Sequence, residues 1–303
     1  MEVNKKYMKL SIVVITMNRA DQLKDALQSC VNSKLPVDTE FVIVDNASSD
    51  NTKDVVETFF IENKYPYKYE YQENNLGVGG GRNRAFCLAE GEYAYFLDDD
   101  AIIKPEDYDF FFMKPISIFE KYTDVATITT NIIDKAWKKD RTPIYAKSWK
   151  KGEYACVYMF FGGSHFLRCD VFRMRKALYQ NIMYGFEELI PSIYAMNHGY
   201  VHLFVPEIAM IHCPKLNKWK DREWLNKTNI NAICSQYHFK SKVYPIIARP
   251  FLWLAFRKRI SMYACGLNVS DCMSEIKNLQ VHEEVISFRT LCKLILQFGV
   301  SAF

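Results

Sequence analysis

The sequence lacks the cysteine patterns that mark metal clusters and disulfide frameworks. Its nine cysteines are scattered along the chain, and none stands in a CxxC pair. The opening residues, MEVNKKYMK, have no apolar stretch of the kind that signal peptides carry. Because an odd number of cysteines without an export signal is typical of reduced thiols, we expect a cytoplasmic protein with neither disulfides nor a zinc cluster.

The sequence also lacks internal repeats, low-complexity tracts and long linkers. What remains is an ordinary globular composition over 303 residues, with 49% hydrophobic and 24% charged residues. A chain of this length can bury a substantial core, as one large domain or two small ones. We expect one domain over residues 1–214 and a basic, mostly helical C-terminal extension over residues 215–303.

Positive charge is scarce over most of the chain and concentrated near its end. Residues 215–259 carry eleven Lys or Arg against two acids, whereas the rest carries 28 basic against 33 acidic residues. The stretch VYPIIARPFLWLAFRKRISMY has an apolar core of about a dozen residues, and a bilayer span needs about 20. Two interpretations stay open: peripheral contact with an anionic membrane surface, or a helical cap packed on the main domain. No nucleic-acid partner is expected, because no recognised nucleic-acid motif accompanies this segment.

Apolar, β-branched runs alternate with helical patterns over roughly the first hundred residues. The predicted strands contain SIVVIT, FVIVD, YKYEY and EYAYFLD, and helices are predicted over ADQLKDALQSCVNS and TKDVVETFFIENK. This alternation predicts an α/β fold with an open, Rossmann-like, mostly parallel sheet flanked by helices. Ligands bind such sheets beyond the carboxyl ends of the strands, where the polar clusters Thr16–Arg19, Asp45–Asp50 and Asp98–Asp100 all fall.

The pattern is less regular between residues 101 and 214. We expect a helix over EDYDFFFMKPISIFEKY, a polar loop over KAWKKDRTPIYAKSWKKGEY, and another helix over EELIPSIYAMNHGY. The stretch ACVYMFFGGSHFLRCDVF has strand character interrupted by Gly162 and Gly163. A strand pair or one bent strand is expected over VHLFVPEIAMIHCP.

Three consecutive aspartates, Asp98, Asp99 and Asp100, end the fourth predicted strand. Like charges repel at neutral pH, so the triplet requires a positive partner or water. Asp98 and Asp100 have the spacing at which two carboxylates can point the same way and hold a hard divalent cation. The alternative is a solvated acidic turn, but the position at the ligand edge favours a metal or nucleotide site.

Two further features bear on a nucleotide ligand. NNLGVGGGRNRA is predicted to be a glycine-rich loop that opens a helix; it lacks the last glycine of a GxGxxG fingerprint, which disfavours a Rossmann dehydrogenase. Its Arg82 is either a bidentate donor for phosphate or carboxylate, or a surface arginine on a flexible turn. Asp45 ends the second strand, where it either binds a base or ribose or begins an Asx-turn.

Taken together, SIVVITMNR, FVIVDNASSDNT, NLGVGGGRNRA and YFLDDD stand in the order and at the spacings of the family 2 glycosyltransferases with the GT-A fold. The resemblance covers about the first 215 residues. Within the family, the chain is most similar to the rhamnosyltransferase-like enzymes of bacterial surface polysaccharide synthesis. The resemblance implies a metal-dependent enzyme that moves a sugar from a nucleotide-diphosphate donor to an acceptor hydroxyl and inverts the anomeric carbon.

The resemblance also implies roles for individual residues. The residues implied to contact the nucleotide sugar are Thr16, Asn18, Asp45, Arg82, Asp98, Asp99 and Gly163. The residues implied to hold Mn²⁺ or Mg²⁺ are Asp98, Asp100 and His212. A lone histidine after an apolar strand is otherwise more often structural, and Gly162–Gly163 could otherwise form a strand bulge.

The family usually carries a Glu-Asp pair at the start of a helix, and its acid is the catalytic base. Here the matching segment offers Glu187 and Glu188, so a glutamate stands where the family has aspartate. The resemblance implies that Glu188 takes the proton of the acceptor hydroxyl, with Glu187 beside it. Two acids at a helix N-terminus could instead only complement the helix dipole.

The implied partners are a UDP-, dTDP- or GDP-sugar donor and a glycan or lipid-linked glycan acceptor, met in the cytoplasm at the inner face of the cell membrane. Two other functions stay open. A metal-dependent nucleotidyltransferase needs the same residue types, although it usually has a Gly- and Lys-rich loop where this chain has TMNRAD. A non-catalytic sugar-nucleotide or glycan-binding protein is disfavoured by the intact candidate base and metal residues.

Overall fold

The computed structural model describes residues 8–136, 139–175, 178–179, 185–214, 222–262, 270, 273–274, 281 and 284–303. Most of the opening segment MEVNKKYMK and residues 137–138 of the predicted polar loop therefore lie outside the described residues. The strands are β1 (Leu10–Thr16), β2 (Thr39–Asp45), β3 (Tyr67–Tyr71), β4 (Tyr93–Asp98), β5 (Ala101–Ile103), β6 (Val125–Asp134), β7 (Lys139–Arg141), β8 (Tyr145–Lys151), β9 (Tyr154–Val157), β10 (Ser164–Arg168) and β11 (Val201–His212). The helices are α1 (Ala20–Val31), α2 (Thr52–Asn63), α3 (Gly77–Leu88), α4 (Met113–Lys121), α5 (Cys169–Arg173), α6 (Leu189–Asn197), α7 (Arg222–Val243), α8 (Arg249–Ile260) and α9 (Phe288–Phe298).

One sheet runs through the described residues in the order β3-β2-β1-β4-β10-β6-β11-β9-β8, with β5 on β11 and β7 on β6. The half built from β3, β2, β1 and β4 is parallel throughout. All seven residues of β2 are buried, as expected for a strand covered by helices on both faces. The α/β fold with a mostly parallel central sheet flanked by helices is therefore confirmed.

The second half of the sheet is mixed. β11 pairs in parallel with β6, and β10 lies antiparallel between β4 and β6. The pairing of β11 with β6 shifts register between Val205 and Ala209, which identifies the segment as one bent strand rather than a strand pair. Since β4 and β6 both run opposite to β10, their carboxyl ends lie at the same edge of the sheet as that of β1.

The glycine-rich segment opens a helix, as predicted, but its glycines lie within the helix rather than in a loop before it. α3 begins at Gly77, and the glycines that follow form its first turns. Asn75 Oδ1 accepts a hydrogen bond from the backbone N–H of Gly77 (2.8 Å), which satisfies a donor at the helix start. A Cβ on Gly81 would lie 3.0 Å from Asn46 Nδ2, so glycine lets the helix approach the end of β2 closely.

Two predictions for the middle of the chain need correction. The predicted polar loop contains β7 and β8, which pair antiparallel with β6 and β9. Most residues of β8 lie outside the core, and their polar character concealed the strand. The helix predicted over EDYDFFFMKPISIFEKY is shorter than expected, because a 3-10 turn at Pro105–Asp107 precedes α4 and the Asp107 carboxylate accepts a hydrogen bond from the backbone N–H of Ala209 (2.7 Å).

The C-terminal extension is helical in its described parts, as predicted. One apolar cluster joins Leu189 and Ile193 of α6 to Phe239 of α7, Leu252 of α8 and Leu291 of α9. This packing matches the interpretation of the extension as a helical cap, while the boundary at residue 214 stays a prediction. Among the described helices, none combines the length and the apolar character that crossing a membrane requires.

Candidate active site

Five strand ends deliver polar side chains to one edge of the sheet. These ends are Thr16 of β1, Asp45 of β2, Asp98 of β4, Asp134 of β6 and His212 of β11. In the parallel pairs, Thr16 stands opposite Asp45, and Asp134 stands opposite His212. The edge is the one at which open α/β sheets bind ligands.

Asp99 and Asp100 share one arginine. Arg19 Nη1 donates to Asp99 Oδ1 (2.6 Å) and to Asp100 Oδ2 (2.8 Å), and Thr16 Oγ1 donates to Asp99 Oδ2 (2.8 Å). Burial raises the pKa of Asp99 to about 6, and the charge of Asp100 adds to this against the effect of Arg19. Burial also disfavours the charge on Asp100, but His212 and Arg19 hold its pKa below the usual value. Asp100 is therefore the more readily ionised of the two carboxyls.

Asp98, Asp100 and His212 form a group that could hold a metal ion. Each offers one ligand atom, and these atoms all lie within 4.8 Å of one another. Two carboxylate oxygens and one imidazole nitrogen are donors that Mn²⁺ accepts, and the carboxylates also suit Mg²⁺. The side chains present thus fit the divalent cation that the sequence predicts.

A second carboxylate lies behind the His212 ring. His212 Nε2 is 3.4 Å from Asp100 Oδ1, and its Nδ1 is 3.3 Å from Asp134 Oδ2. Arg141 Nη2 donates to the same Asp134 oxygen (2.7 Å). Burial alone would lower the pKa of His212, but the neighbouring Asp100 raises it above its ordinary value. A metal on Nε2 would require the ring proton on Nδ1, where Asp134 Oδ2 can accept it, and Arg141 Nη2 also lies 3.1 Å from Nδ1.

Arg82 connects the metal-binding carboxylates to the glutamate pair. Its Nη2 donates to Asp98 Oδ1 (3.0 Å), and its Nη1 donates to Glu187 Oε1 (2.9 Å) and Glu188 Oε1 (3.2 Å). The arginine is only 4% exposed, so this is a buried network rather than a surface contact. Burial raises the pKa of Glu188 to about 8, with a further contribution from Glu187, against the opposing effect of Arg82. The Glu188 side chain makes no capping hydrogen bond at the start of α6. Glu187 Oε2 accepts from the backbone N–H of Gly185 (2.9 Å), which lies before the helix.

Gly162 and Gly163 leave room for two of these acids. A Cβ on Gly162 would lie 1.6 Å from Glu188 Oε1 and 2.6 Å from Arg82 Nη1. A Cβ on Gly163 would lie 2.5 Å from Asp98 Oδ2. The carbonyl oxygen of Gly163 also accepts a hydrogen bond from the backbone N–H of Asp98 (3.1 Å). Any side chain at either position would displace a carboxylate.

Asp45 and Asn18 belong to the adjoining loops. Asp45 Oδ1 accepts from the backbone N–H of Ser48 (2.7 Å), and its Oδ2 accepts from the Tyr69 hydroxyl (2.6 Å). Asn18, at a positive φ of 54°, accepts from the backbone N–H of Ser49 (2.7 Å) and so ties the β1 loop to the β2 loop. Asp45 thus makes the turn contact that was one of its two interpretations, and its role toward a base stays a prediction.

The structure brings together every residue predicted for the metal and for the base, and it adds three. The sequence marks Arg19 only as part of a polar cluster and does not distinguish Asp134 or Arg141. Asp134 ends the predicted strand VATITTNIID, so the strand-end rule could have found it. Arg141 lies in the segment predicted to be a loop, and no local signal marks it.

The family model described as "Glycosyl transferase family 2" matches residues 11–182. An uncharacterized glycosyltransferase, MG060, of Mycoplasma genitalium is 32% identical in an alignment of 203 residues that covers 62% of this chain and 64% of that protein. A GalNAc(5)-diNAcBac-PP-undecaprenol beta-1,3-glucosyltransferase of Campylobacter jejuni is 36% identical over 92 residues, or 30% of this chain and 29% of that protein. The chain spans less than two thirds of the length of these curated relatives.

Solved structures share the fold at low sequence identity. Staphylococcus aureus TarS 1-349 in complex with UDP-GlcNAc has a TM-score of 0.63 and 14% identity, covering 97% of this chain and 89% of that one. The mannosyltransferase PcManGT from Pyrobaculum calidifontis, in complex with GDP-Man and Mn²⁺, has a TM-score of 0.61 and 14% identity, covering 98% and 86%. These likenesses agree with the GT-A fold implied by the sequence motifs. Since the family model matches more than half of the residues of the chain, the chain belongs to glycosyl transferase family 2.

Proposed function

We propose that the protein is an inverting glycosyltransferase that moves a sugar from a nucleotide-diphosphate donor to an acceptor hydroxyl. The observation that carries the proposal is the buried Arg82, which holds Asp98 of the candidate metal group beside Glu187 and Glu188. A direct displacement needs the leaving diphosphate and the deprotonated acceptor on opposite sides of one anomeric carbon. The proposal is supported by the contacts of Arg82 with Asp98 and with both glutamates, since these are the groups to which we assign the two tasks.

The candidate metal group serves the leaving group. Mn²⁺ or Mg²⁺ bound there would neutralise the charge that develops on the departing nucleoside diphosphate. Asp98, Asp100 and His212 would hold it, and Asp134 would keep the His212 ring in place. Thr16, Asn18 and Asp45 would line the nucleotide pocket, as the family resemblance implies, and Asp99 would hold Thr16 at the end of β1.

Glu188 is the residue we propose as the general base. Its pKa of about 8 lies close to neutral, where a base combines a useful ionised fraction with proton affinity. Glu187 contributes to that shift and accepts the shorter bond from Arg82. Gly162 leaves the space that the Glu188 carboxylate occupies. No enzyme nucleophile is required, because a single displacement inverts the anomeric centre.

The donor and acceptor are proposed by analogy. Solved relatives carry UDP-GlcNAc or GDP-Man, and the Campylobacter jejuni relative is named for an undecaprenol-linked glycan. We propose a UDP-, dTDP- or GDP-sugar donor, a glycan or lipid-linked glycan acceptor, and a role in bacterial surface glycan synthesis. The catalytic domain would comprise residues 1–214.

Turnover with a panel of nucleotide sugars tests the function. The protein is incubated with Mn²⁺ and each donor, and released nucleoside diphosphate is measured with and without added acceptor glycans. Asp100→Ala should abolish metal-dependent release, whereas Asp109→Ala, which removes an exposed aspartate, should leave it unchanged. Near-full activity of Asp100→Ala would contradict the metal assignment, and NMR of the product shows whether the anomeric centre is inverted.

Two other functions predict different outcomes of the same assay. A nucleotidyltransferase would release no nucleoside diphosphate from these donors, and would instead release pyrophosphate when given a nucleoside triphosphate and a sugar phosphate. A non-catalytic binding protein would bind a nucleotide sugar without releasing nucleoside diphosphate from it. The buried Glu188 network favours the glycosyltransferase, since neither alternative needs a base beside the metal group.

We also propose that the extension touches the cytoplasmic face of the membrane. α8 exposes Phe251, Trp253 and Leu254, and the Arg257 guanidinium lies 4.9 Å from the centre of the Trp253 ring. Phe251 and Leu254 are three residues apart and share one face, with exposed Lys258 one turn further on. An aromatic and apolar face bordered by cations fits the interface of an anionic bilayer, where a lipid-linked acceptor would lie.

Vesicle sedimentation tests this contact. The protein should pellet with phosphatidylglycerol-containing vesicles and much less with phosphatidylcholine alone. Phe251→Ser with Leu254→Ser should weaken pelleting, whereas Ile61→Ser, which replaces a 74% exposed isoleucine of α2, should not. Equal pelleting of wild type and all variants with the vesicles would contradict membrane contact. So would self-association of the wild type in the absence of lipid that Phe251→Ser with Leu254→Ser abolishes.

A further inference from the structure

Arg19 reaches from solvent into a buried acidic pair. Its side chain is 42% exposed, whereas the side chains of Asp99 and Asp100 are each 7% exposed. The residue lies directly before α1, in the loop that follows Thr16 at the end of β1 and carries Asn18. A single nitrogen, Nη1, contacts both aspartates, so the guanidinium reaches the pair from the side of this loop.

The Arg19 guanidinium binds the Asp100 carboxylate, which a bound cation would also need as a ligand. Asp100 Oδ2 accepts from Arg19, while Asp100 Oδ1 faces His212 Nε2 at 3.4 Å. A divalent cation held by Asp98, Asp100 and His212 would lie on the same carboxylate as the guanidinium. Two positive charges at such a short distance repel each other, and solvent screens neither charge well because the aspartates are buried.

We propose that Arg19 competes with the divalent cation for Asp100, and that the diphosphate of the donor draws Arg19 away from this carboxylate, so that cation and donor bind cooperatively. The proposal rests on the proposed function, because it takes the donor to be a nucleoside diphosphate. A diphosphate offers the arginine charge-assisted hydrogen bonds of the kind it gives up at Asp100. The exposed part of the side chain leaves it free to turn toward a ligand at the strand ends.

The competition has a thermodynamic consequence in both directions. If the diphosphate removes a competitor of the cation, nucleotide must tighten cation binding, and cation must tighten nucleotide binding by the same factor. The opposite view is that Arg19 is a purely structural ion pair that holds the aspartates in place. Under that view, removing the guanidinium leaves cation affinity unchanged or weakens it.

Mn²⁺ titration followed by the EPR signal of free Mn²⁺ separates these views without any turnover. Wild type, Arg19→Gln and Arg289→Gln are compared, the last being an equal charge change at an exposed arginine of α9. Each is titrated alone, with UDP and with uridine, after correction for Mn²⁺ that UDP binds in solution. Thermal unfolding confirms that all three proteins are folded.

In the absence of nucleotide, Arg19→Gln should bind Mn²⁺ about five- to ten-fold more tightly than wild type, as expected for loss of one partly exposed charged contact. UDP should tighten Mn²⁺ binding of wild type by about five- to ten-fold more than it tightens that of Arg19→Gln, because its phosphate oxygens can contact the cation in both proteins but displace Arg19 only in wild type. Uridine should tighten neither. Arg289→Gln should behave as wild type.

Unchanged or weaker Mn²⁺ binding by Arg19→Gln would overturn the proposal, as would equal coupling to UDP in both proteins. In those cases the metal site of the proposed glycosyltransferase would still stand, because wild type would bind Mn²⁺. Failure of all the proteins to bind Mn²⁺, even with UDP, would overturn the metal-dependent function together with this inference.

Discussion

Replacing Gly162 with alanine tests whether Glu188 must occupy its observed place. The new Cβ would lie 1.6 Å from Glu188 Oε1, and an ordinary contact begins at 3.4 Å, so the carboxylate has to retreat by about 1.8 Å. The backbone of Gly162 is not in the left-handed region, so alanine itself adds no strain there. A misplacement of 1 Å can cost about 100-fold in rate. We therefore expect kcat to fall by at least about 100-fold, which corresponds to about 2.7 kcal/mol in the activation barrier.

The assay is release of nucleoside diphosphate at saturating donor and acceptor, together with Mn²⁺ binding by EPR. Gly162→Ala should lose kcat while its Mn²⁺ affinity stays within about threefold of wild type. Gly163→Ala is the matched variant, because its Cβ would lie 2.5 Å from Asp98 Oδ2 and should weaken Mn²⁺ binding instead.

A double-mutant cycle tests the steric cause. Glu188→Asp shortens the side chain by one methylene, which makes room for the new methyl group. The change should cost rate in the wild-type background and cost little, or restore rate, beside Gly162→Ala. A Gly162→Ala protein that folds normally and keeps kcat within about threefold of wild type would refute the argument that Glu188 acts from this position.

Three further predictions concern the same network. The value of kcat/KM should rise with pH up to about 8, because burial raises the pKa of Glu188 and the base acts only when deprotonated. A kcat/KM profile that is flat between pH 6 and 8 would contradict the assignment of Glu188 as the base. Asp134→Asn should weaken Mn²⁺ binding by about 10- to 100-fold, since the carboxylate orients His212, and an unchanged dissociation constant would show that the ring needs no such support. Arg82→Leu should lower the free energy of unfolding, measured by urea unfolding, by about 3–5 kcal/mol at pH 8, because three acids lose their buried counter-charge. The loss should be smaller at pH 5, where Glu188 is protonated in both proteins. Equal losses at the two pH values would contradict the role of charge.

Local patterns were sufficient for the first half of the fold. The alternation of β-branched runs with helical periodicity predicted β1 to β4, and it placed Thr16, Asp45 and Asp98 at strand ends. This succeeded because a strand buried on both faces has a continuous apolar sequence and ends where polar residues begin. The same reasoning failed for β8, whose residues lie mostly outside the core and therefore show a polar sequence.

The glycines of this chain show where an interpretation based on local sequence composition fails. The run after Asn75 favours a loop by composition, yet it forms the first turns of α3. At Gly81 a Cβ would lie 3.0 Å from the Asn46 side chain, so glycine lets the helix pack close to the end of β2 there. Gly162 and Gly163 are similar, since the atoms that exclude a side chain belong to Glu188 and Asp98. Composition alone cannot distinguish a flexible glycine from one that a distant residue requires.

The sequence by itself determined the family, the parallel half of the sheet, and the residue types available for a metal and a base. Only the tertiary structure decided which of these residues meet. Arg19 and Asp99 are 80 residues apart along the chain, and Arg82 and Glu187 are 105 apart. The first contact depends on the parallel pairing of β1 with β4, and β10, antiparallel between β4 and β6, aligns the ends of β4, β6 and β11 at the same edge. That arrangement follows from long-range packing and pairing rather than from the propensity of any segment.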